Sequence, residues 1–229
     1  MNRTHNNLYA KCSSKQLTIE HACEVGVYMP ESSNVIDFIE TGKRTTLIEA
    51  DPESIALINK RFGDYPSVSI HSVAVFNRRG RVKLSRAKAS TFISELTESP
   101  ALVNDSYQKA PDNEFETDCV LFSDLDDGKI DLLSIDIEGA EWFVLSHMKS
   151  MPKVISVETH GKYYTNPYIK KIRSFMHGND YQEWFMDLSD TVYLNKNSAR
   201  VTLTEKLKLT IMKIRIFARR MKKVFRRRK

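Results

Sequence analysis

Ile130-Asp131-Leu132-Leu133-Ser134-Ile135-Asp136-Ile137-Glu138-Gly139-Ala140-Glu141-Trp142-Phe143-Val144-Leu145 is the stretch from which the fold can be read. Its first half is a short aliphatic run of strand length. Beyond an acidic turn with one glycine, Trp142, Phe143 and Leu145 fall on what reads as the buried face of a helix. A strand that passes through such a turn into a helix is one step of a parallel sheet covered on both faces by helices.

The same step recurs along the chain. Strands are expected at residues 17–25, 45–50, 68–75, 130–137 and 154–158, and helices at 33–40, 53–62, 140–147 and 168–177. Pro30 and Pro52 stand near helix starts, where a missing N–H does no harm, and Gly42 and Gly178 stand where helices should stop. Two β-prone runs, 181–188 and 191–195, flank Ser189 and Asp190 and predict a terminal antiparallel pair. Residues 76–120 are less regular. Asn77 to Gly80 reads as a turn, 81–84 as a strand, and 100–113 as a polar excursion of the kind that forms a mobile lid. The resulting fold class is α/β, doubly wound. Three parts are expected: an N-terminal extension, 1–16; one catalytic-size domain, 17–198; and a basic C-terminal helix, 199–229.

Charge separates the last part from the rest. Residues 203–229 hold 12 Lys or Arg against the single acid Glu205, a net +11, and the remainder carries 23 basic and 28 acidic residues, a net −5. An enzyme of nucleic acid usually spreads its cations over the face that holds the substrate, so the acidic body makes nucleic acid an unlikely partner. In the tail, Leu207, Ile211, Ile214, Ala218, Met221 and Phe225 recur every three or four residues among Lys and Arg. This pattern fits an amphipathic helix lying on an anionic membrane surface. Two other readings stay open: packing of the stripe on the domain or on a second copy, and RNA binding through Arg226, Arg227, Arg228 and Lys229. Cys12, Cys23 and Cys119 are odd in number and unpaired in spacing, so they read as reduced thiols. No apolar run resembles a signal peptide or a membrane span, and the expected location is cytoplasmic, peripheral to the inner membrane face through the tail.

Ligands of open α/β sheets gather at the carboxyl ends of the strands. Four of those ends are acidic here: Glu24-Val25-Gly26-Val27-Tyr28, Glu49-Ala50-Asp51-Pro52, Asp136-Ile137-Glu138 and Glu158-Thr159-His160. Such a rim suits a cationic ligand that bears hydroxyls. Glu49, at the end of the second strand, is placed to accept both hydroxyls of a ribose and so points to a nucleoside cofactor. The competing reading is a carboxylate in an ordinary turn, with Asp51 as the N-cap of the next helix. Gly26 would let a cofactor approach the backbone. Tyr28, Pro30, Glu31 and Ser32 stand where a dinucleotide turn needs further glycines, which argues against a pyrophosphate.

Leu47-Ile48-Glu49-Ala50-Asp51-Pro52, Ala74-Val75 before the turn at Gly80, and Asp131 to Glu141 together resemble the FkbM family of methyltransferases, over roughly residues 22–195. The resemblance implies a Rossmann-like class I methyltransferase fold whose mostly parallel seven-stranded sheet ends in an antiparallel hairpin. It also implies S-adenosylmethionine as methyl donor and transfer to a hydroxyl oxygen of a sugar, glycan or similar small polar acceptor, such as a lipid-linked sugar of the cell envelope. Glu24-Val25-Gly26 fits the family's first motif, usually an acid, an apolar residue and Gly-Ala-Asn, whereas Val27, Tyr28 and Pro30 depart from it. By this resemblance the cofactor-binding set is Glu24, Gly26, Tyr28, Glu49, Ala50, Asp51, Ser72, Val73, Ala74 and Asp136. Glu24 and Gly26 would border the methionine portion, Glu49 would take the ribose, Ser72 to Ala74 would flank the adenine, and Asp136 would face sulfonium and acceptor.

A base is needed for the acceptor proton. His160 is the first candidate, oriented by Glu158 or Asp136, because an imidazole titrates near neutral pH; a solvated loop histidine is the plain alternative. A less favoured arrangement has Asp136, Glu158 and His160 hold a divalent metal such as Mg²⁺. Glu138 and Glu141 have a structural reading as acids in a helix's first turn. Tyr163 and Tyr164 could stack on a sugar or simply pack. A nucleic-acid-binding methyltransferase and an inactive methyltransferase-like module remain as competing functions.

Overall fold

The computed structural model describes residues 8–87, 90–104, 107–108, 110–161, 163–187 and 189–227. In chain order its elements are α1 (Leu8–Ser14), β1 (His21–Val25), α2 (Ile36–Glu40), β2 (Arg44–Glu49), α3 (Pro52–Phe62), β3 (Val68–Ser72), β4 (Ala74–Val75), β5 (Gly80–Ala87), β6 (Ser90–Ile93) and α4 (Pro100–Asn104). There follow β7 (Glu114–Val120), β8 (Leu132–Ile135), α5 (Glu141–Leu145), β9 (Val154–Glu158), α6 (Ile169–Gly178), β10 (Tyr181–Met186), β11 (Asp190–Asn195) and α7 (Leu203–Arg227).

β1, β8 and β9 are buried along their whole length, as strands covered on both faces must be. Alternate residues therefore feed two cores. Ala22, Leu47, Leu132 and Val154 join Leu8 and Cys12 of α1, Phe38 and Ile39 of α2, and Ile58 and Phe62 of α3. On the opposite face Cys23, Val25, Ile48, Leu133, Ile135 and Ile155 meet Val144 and Leu145 of α5 and Ile172 and Met176 of α6. All three cysteines are free and buried.

The main sheet has seven strands in the order β10-β11-β9-β8-β1-β2-β3. The five from β3 to β9 are parallel, β11 runs antiparallel to β9, and β10 pairs antiparallel with β11 at the edge. The expected terminal pair thus forms, with its second strand inserted next to β9; Leu188, at the expected end of the first, lies outside the described residues. Strand order reverses between β1 and β8, which is the switch point where an α/β sheet opens a crevice.

The region from 68 to 120 differs from expectation. The run 68–75 is two strands, because Val73 N donates to the Glu49 carbonyl and the chain then leaves the main sheet. The short β4 joins a second sheet, ordered β4-β7-β5-β6, whose strand β5 extends well past the predicted 81–84. Asp51 links this sheet to the main body. It caps α3 by accepting from Glu53 N, and it takes a two-point contact from Arg86 (Nε to Oδ2 and Nη2 to Oδ1, both 2.8 Å) and a hydrogen bond from Thr91 Oγ1 at 3.0 Å. Burial opposes the charge, but Arg86 and these other donors hold the Asp51 carboxyl below the usual carboxylate range. Within the polar excursion 100–113, α4 and a 3-10 turn at Pro111–Asn113 are described; residues 105, 106 and 109 lie outside the described residues.

α7 rests on β10 through one face. Trp184 Nε1 donates to Glu205 Oε1, Lys15 pairs with Glu205, Lys213 pairs with Glu183, and Leu209 is buried. The apolar stripe read from the sequence points the other way: its Leu207, Ile211, Ile214, Ala218 and Met221 are exposed, and so are Leu203 and Phe217. Packing of that stripe on the domain is therefore overturned, since the helix uses a different face for it. The side chains from 222 onward, including Phe225 and the terminal arginines, lie outside the description.

Asp51→Ala should cost roughly 2–3 kcal/mol by loss of a cap and a charge-assisted pair. Thermal unfolding should show this as a fall of about 4–12 °C. An unchanged midpoint would mean that Asp51 does not join the two sheets.

Candidate active site

A cleft opens at the carboxyl ends of β1, β2 and β8, on the switch point, with the second sheet as its far wall. Glu24, Tyr28, Glu49, Asp136, Asp187 and Asp190 supply polar lining; Ile48, Ala50, Val73, Ala74, Phe92 and Ile93 supply apolar lining, and Gly26, Leu84 and Glu138 also line it. It holds ≈ 1190 Å³ of space, counted out to its solvent-open mouth.

Glu49 lines it, buried, and its carboxylate is filled by backbone amides. Oε2 accepts from Val27 N (3.0 Å) and Tyr28 N (2.8 Å), and Oε1 accepts from Ala50 N (2.7 Å) and Asp51 N (2.9 Å). A carboxylate offers about four lone-pair positions. The side chain therefore ties the loop after β1 to the loop after β2, an ordering role that the sequence did not show. Glu24, one strand over, anchors the segment that follows its own strand: Oε2 accepts from Ser33 Oγ (2.5 Å) and Oε1 from Asn34 N (2.8 Å). Burial pushes the Glu24 carboxyl up to about 7 against those hydrogen bonds.

Gly26 was expected to leave room for a ligand. The structure gives that room to the protein itself: at φ +85°, a Cβ here would stand 1.7 Å from the Asp136 carbonyl oxygen. The missing side chain lets the β1 loop rest on the end of β8 across the switch point. Two residues on, Tyr28 adopts φ +55° and is 44% exposed. A left-handed backbone costs an ordinary side chain roughly 1–2 kcal/mol, and Asn tolerates it better.

Of the expected cofactor residues, Asp51 and Ser72 do not line the cleft; Asp51 has its carboxylate on Arg86, and Ser72 ends β3 at the sheet edge. Val73 and Ala74, just beyond, do line it. Of the three catalytic candidates, only Asp136 does. His160 is buried outside the lining. Its Nδ1 lies 2.9 Å from Thr159 Oγ1 and its Nε2 3.2 Å from the Asp187 carbonyl, while burial, with Arg220 and Arg173 nearby, holds its pKa down despite that carbonyl. The ring serves the loop between β9 and α6.

The carboxylates converge without the histidine. Ligand-capable oxygens of Asp136, Glu141 and Glu158 all lie within 4.8 Å of one another. This corrects the proposed metal set of Asp136, Glu158 and His160: Glu141 takes the place of the imidazole. Nor is Glu141 simply a first-turn acid. It is fully buried, Oε1 accepts from Ile137 N and Gly139 N, and Oε2 accepts from Asn166 Nδ2 at 2.5 Å. Burial raises all three carboxyls; the charges of Glu138 and Asp190 push Asp136 further up, and those of Asp136 and Glu138 do the same to Glu158. Asp190, whose carboxyl burial pushes up to about 7, also lines the cleft. Sequence reading missed Asn166 and used Asp190 only as a turn marker; neither falls in a spacing pattern that distinguishes it. The second-sheet wall of Thr91, Phe92 and Ile93 was missed with the sheet. Tyr164 is fully buried and does not line the cleft.

The model of the methyltransferase FkbM domain matches residues 24–183, about seven tenths of the chain. Among solved structures, precorrin-6y C5,15-methyltransferase from Geobacter metallireducens GS-15 is similar at 14% identity and a TM-score of 0.40, over 83% of this chain and 90% of that one. Among curated proteins, none matches.

Tyr28→Asn should relieve the left-handed turn and stabilise the protein by about 1 kcal/mol, a rise of roughly 2–4 °C in Tm. A lower Tm would show that the tyrosine ring, not the turn, dominates at this position.

Proposed function

The chain belongs to the FkbM methyltransferase family, and from that premise we propose that it is an O-methyltransferase acting on a hydroxyl of a sugar, glycan or similar small polar acceptor. The observation that carries this reading is the cleft at the switch point, acidic on one wall and apolar on the other. The donor set suits S-adenosylmethionine: carboxylates for a sulfonium and a ribose, and the Ile48, Val73 and Phe92 side of the cleft for an adenine. The sheet order agrees with a Rossmann-like class I methyltransferase fold.

Glu49 would hold the ribose hydroxyls in exchange for two of the amides it accepts, Glu24 and Gly26 would border the methionine portion, and Val73 with Ala74 would flank the base. S-adenosylmethionine supplies a methyl group to the acceptor oxygen, the electrons of the broken C–S bond staying on sulfur and the hydroxyl proton leaving to the protein. Asp136 would orient the hydroxyl in line with the methyl. Asp190, a second cleft carboxylate, would receive the proton, the role first expected of His160.

The exposed stripe of α7 supports a second element of the proposal. No described helix is long and apolar enough to cross a membrane. An apolar face flanked by cations instead fits an anionic bilayer surface, which would bring a lipid-linked sugar to a cytoplasmic enzyme. The acidic body argues against nucleic acid as substrate. An inactive binding module is the alternative that the Tyr28 turn keeps in view.

With sugar acceptors and mass-spectrometric detection of S-adenosylhomocysteine, Glu49→Gln should raise the KM for S-adenosylmethionine about 10- to 150-fold, the loss of a charged acceptor worth roughly 1.5–3 kcal/mol. Asp190→Asn should instead lower kcat by about 10²–10⁴. Equal effects of both on KM alone would refute these assignments. Separately, Ile214→Glu combined with Phe217→Glu should reduce co-sedimentation with anionic vesicles about tenfold or more. Undiminished sedimentation would remove the membrane surface as a partner.

A further inference from the structure

We propose that Asp136, Glu141 and Glu158 form a site for one hard divalent cation, of the magnesium, manganese or calcium class, buried behind the cleft wall and meeting the cleft at Asp136. The cation's role, holding and acidifying the acceptor hydroxyl, rests on the O-methyltransferase reading; its binding does not.

Three observations carry this beyond a cluster of acids. The first is geometric. Oxygens on opposite sides of a cation are about 4.6–5.2 Å apart for calcium and about 4.0–4.2 Å apart for magnesium, so ligand atoms within 4.8 Å of one another can share the larger ion as they stand and the smaller one after drawing in by a fraction of an ångström. The set is all oxygen, with His160 turned away and no thiol present, which favours a hard cation over zinc.

The second is charge balance. Glu141 and Glu158 are buried, and neither they nor Asp136 forms a salt bridge with a Lys, Arg or His among the described residues. Elsewhere in this chain the buried Asp51 carries Arg86. Crowded interior carboxylates without a counter-ion must take up protons or a cation.

The third points to a ligand directly. The Tyr164 side chain is fully buried, and its hydroxyl has no hydrogen-bond partner. It reaches the turn carrying these acids, 3.4 Å from where a Cβ of Gly139 would be; burial, then the charges of Glu141 and Glu158, hold its hydroxyl protonated. Glu158 Oε2 is likewise buried without a partner. A buried donor and a buried acceptor both left open suit a hydrated cation, with Glu158 as ligand and Tyr164 bonded to a coordinated water. Asn166 and the amides of Ile137 and Gly139 fix Glu141, so part of the shell is built in advance.

The test is electron paramagnetic resonance titration of Mn²⁺ into the full chain, with and without saturating S-adenosylhomocysteine. One bound ion per chain is expected, with a Kd of roughly 10⁻⁵–10⁻³ M. Glu158→Gln and Asp136→Asn should each weaken it at least about tenfold. If Glu158→Gln does not fold by circular dichroism, Asp136→Asn, at the cleft surface, decides alone. Absence of bound Mn²⁺ in protein that still binds S-adenosylhomocysteine would overturn the cation site and leave the methyltransferase reading intact. Unchanged affinity in the folded variants would overturn it too. Bound Mn²⁺ in protein that does not bind S-adenosylhomocysteine would support the site and contradict the cofactor reading.

Discussion

The Glu49 carboxylate gathers four backbone amides from two loops that the sheet alone would leave independent. Parallel strands β1 and β2 end side by side, each followed by a chain reversal with N–H groups facing no strand partner. Buried amides without acceptors are costly. One acidic side chain at the end of β2 satisfies both reversals and so shapes the mouth of the cleft. Gly26 closes the other side by lying against the Asp136 carbonyl, which brings the β8 acids within reach of the same space.

A second constraint acts from outside the main sheet. The Asp51–Arg86 pair fixes the four-stranded sheet over the N-terminus of α3, and that sheet supplies the apolar wall opposite the acids. The cleft is thus polar where β1, β2 and β8 end and apolar where β5 and β6 cross it. A nucleoside with a charged sulfonium has the same division of character. α7 is joined to the site from the far side, where Arg220 Nη2 donates to the carbonyls of Tyr163 and Tyr164 and to Thr165 Oγ1, in the loop that presents Asn166 to Glu141.

Much of this was legible from sequence because it follows from periodicity. Fully buried strands announce themselves as uninterrupted aliphatic runs, and β2, β8 and β9 lie within a residue or two of where those runs place them. Acids at strand ends were visible for the same reason. What stayed hidden depends on contacts between distant residues. The run 68–75 carries no local sign that the chain changes sheets at Val73, and β4 and β5 each pair with β7 through partners tens of residues apart. His160 has the chemistry of a base, but its ring is turned by Thr159 and Asp187, one of them a residue of another segment. Glu141 looked like a helix-dipole acid because Asn166, its partner, is 25 residues away. The amphipathic spacing of α7 was readable, but which face met the domain was not: Leu209, Met212 and Ile216 are as apolar as the exposed stripe.

The central claim is that the switch-point cleft holds S-adenosylmethionine. Isothermal titration of the chain with S-adenosylhomocysteine tests it most directly, since the demethylated product binds without an acceptor. One site per chain with micromolar affinity is the predicted result, and no detectable heat up to millimolar concentration would contradict the account.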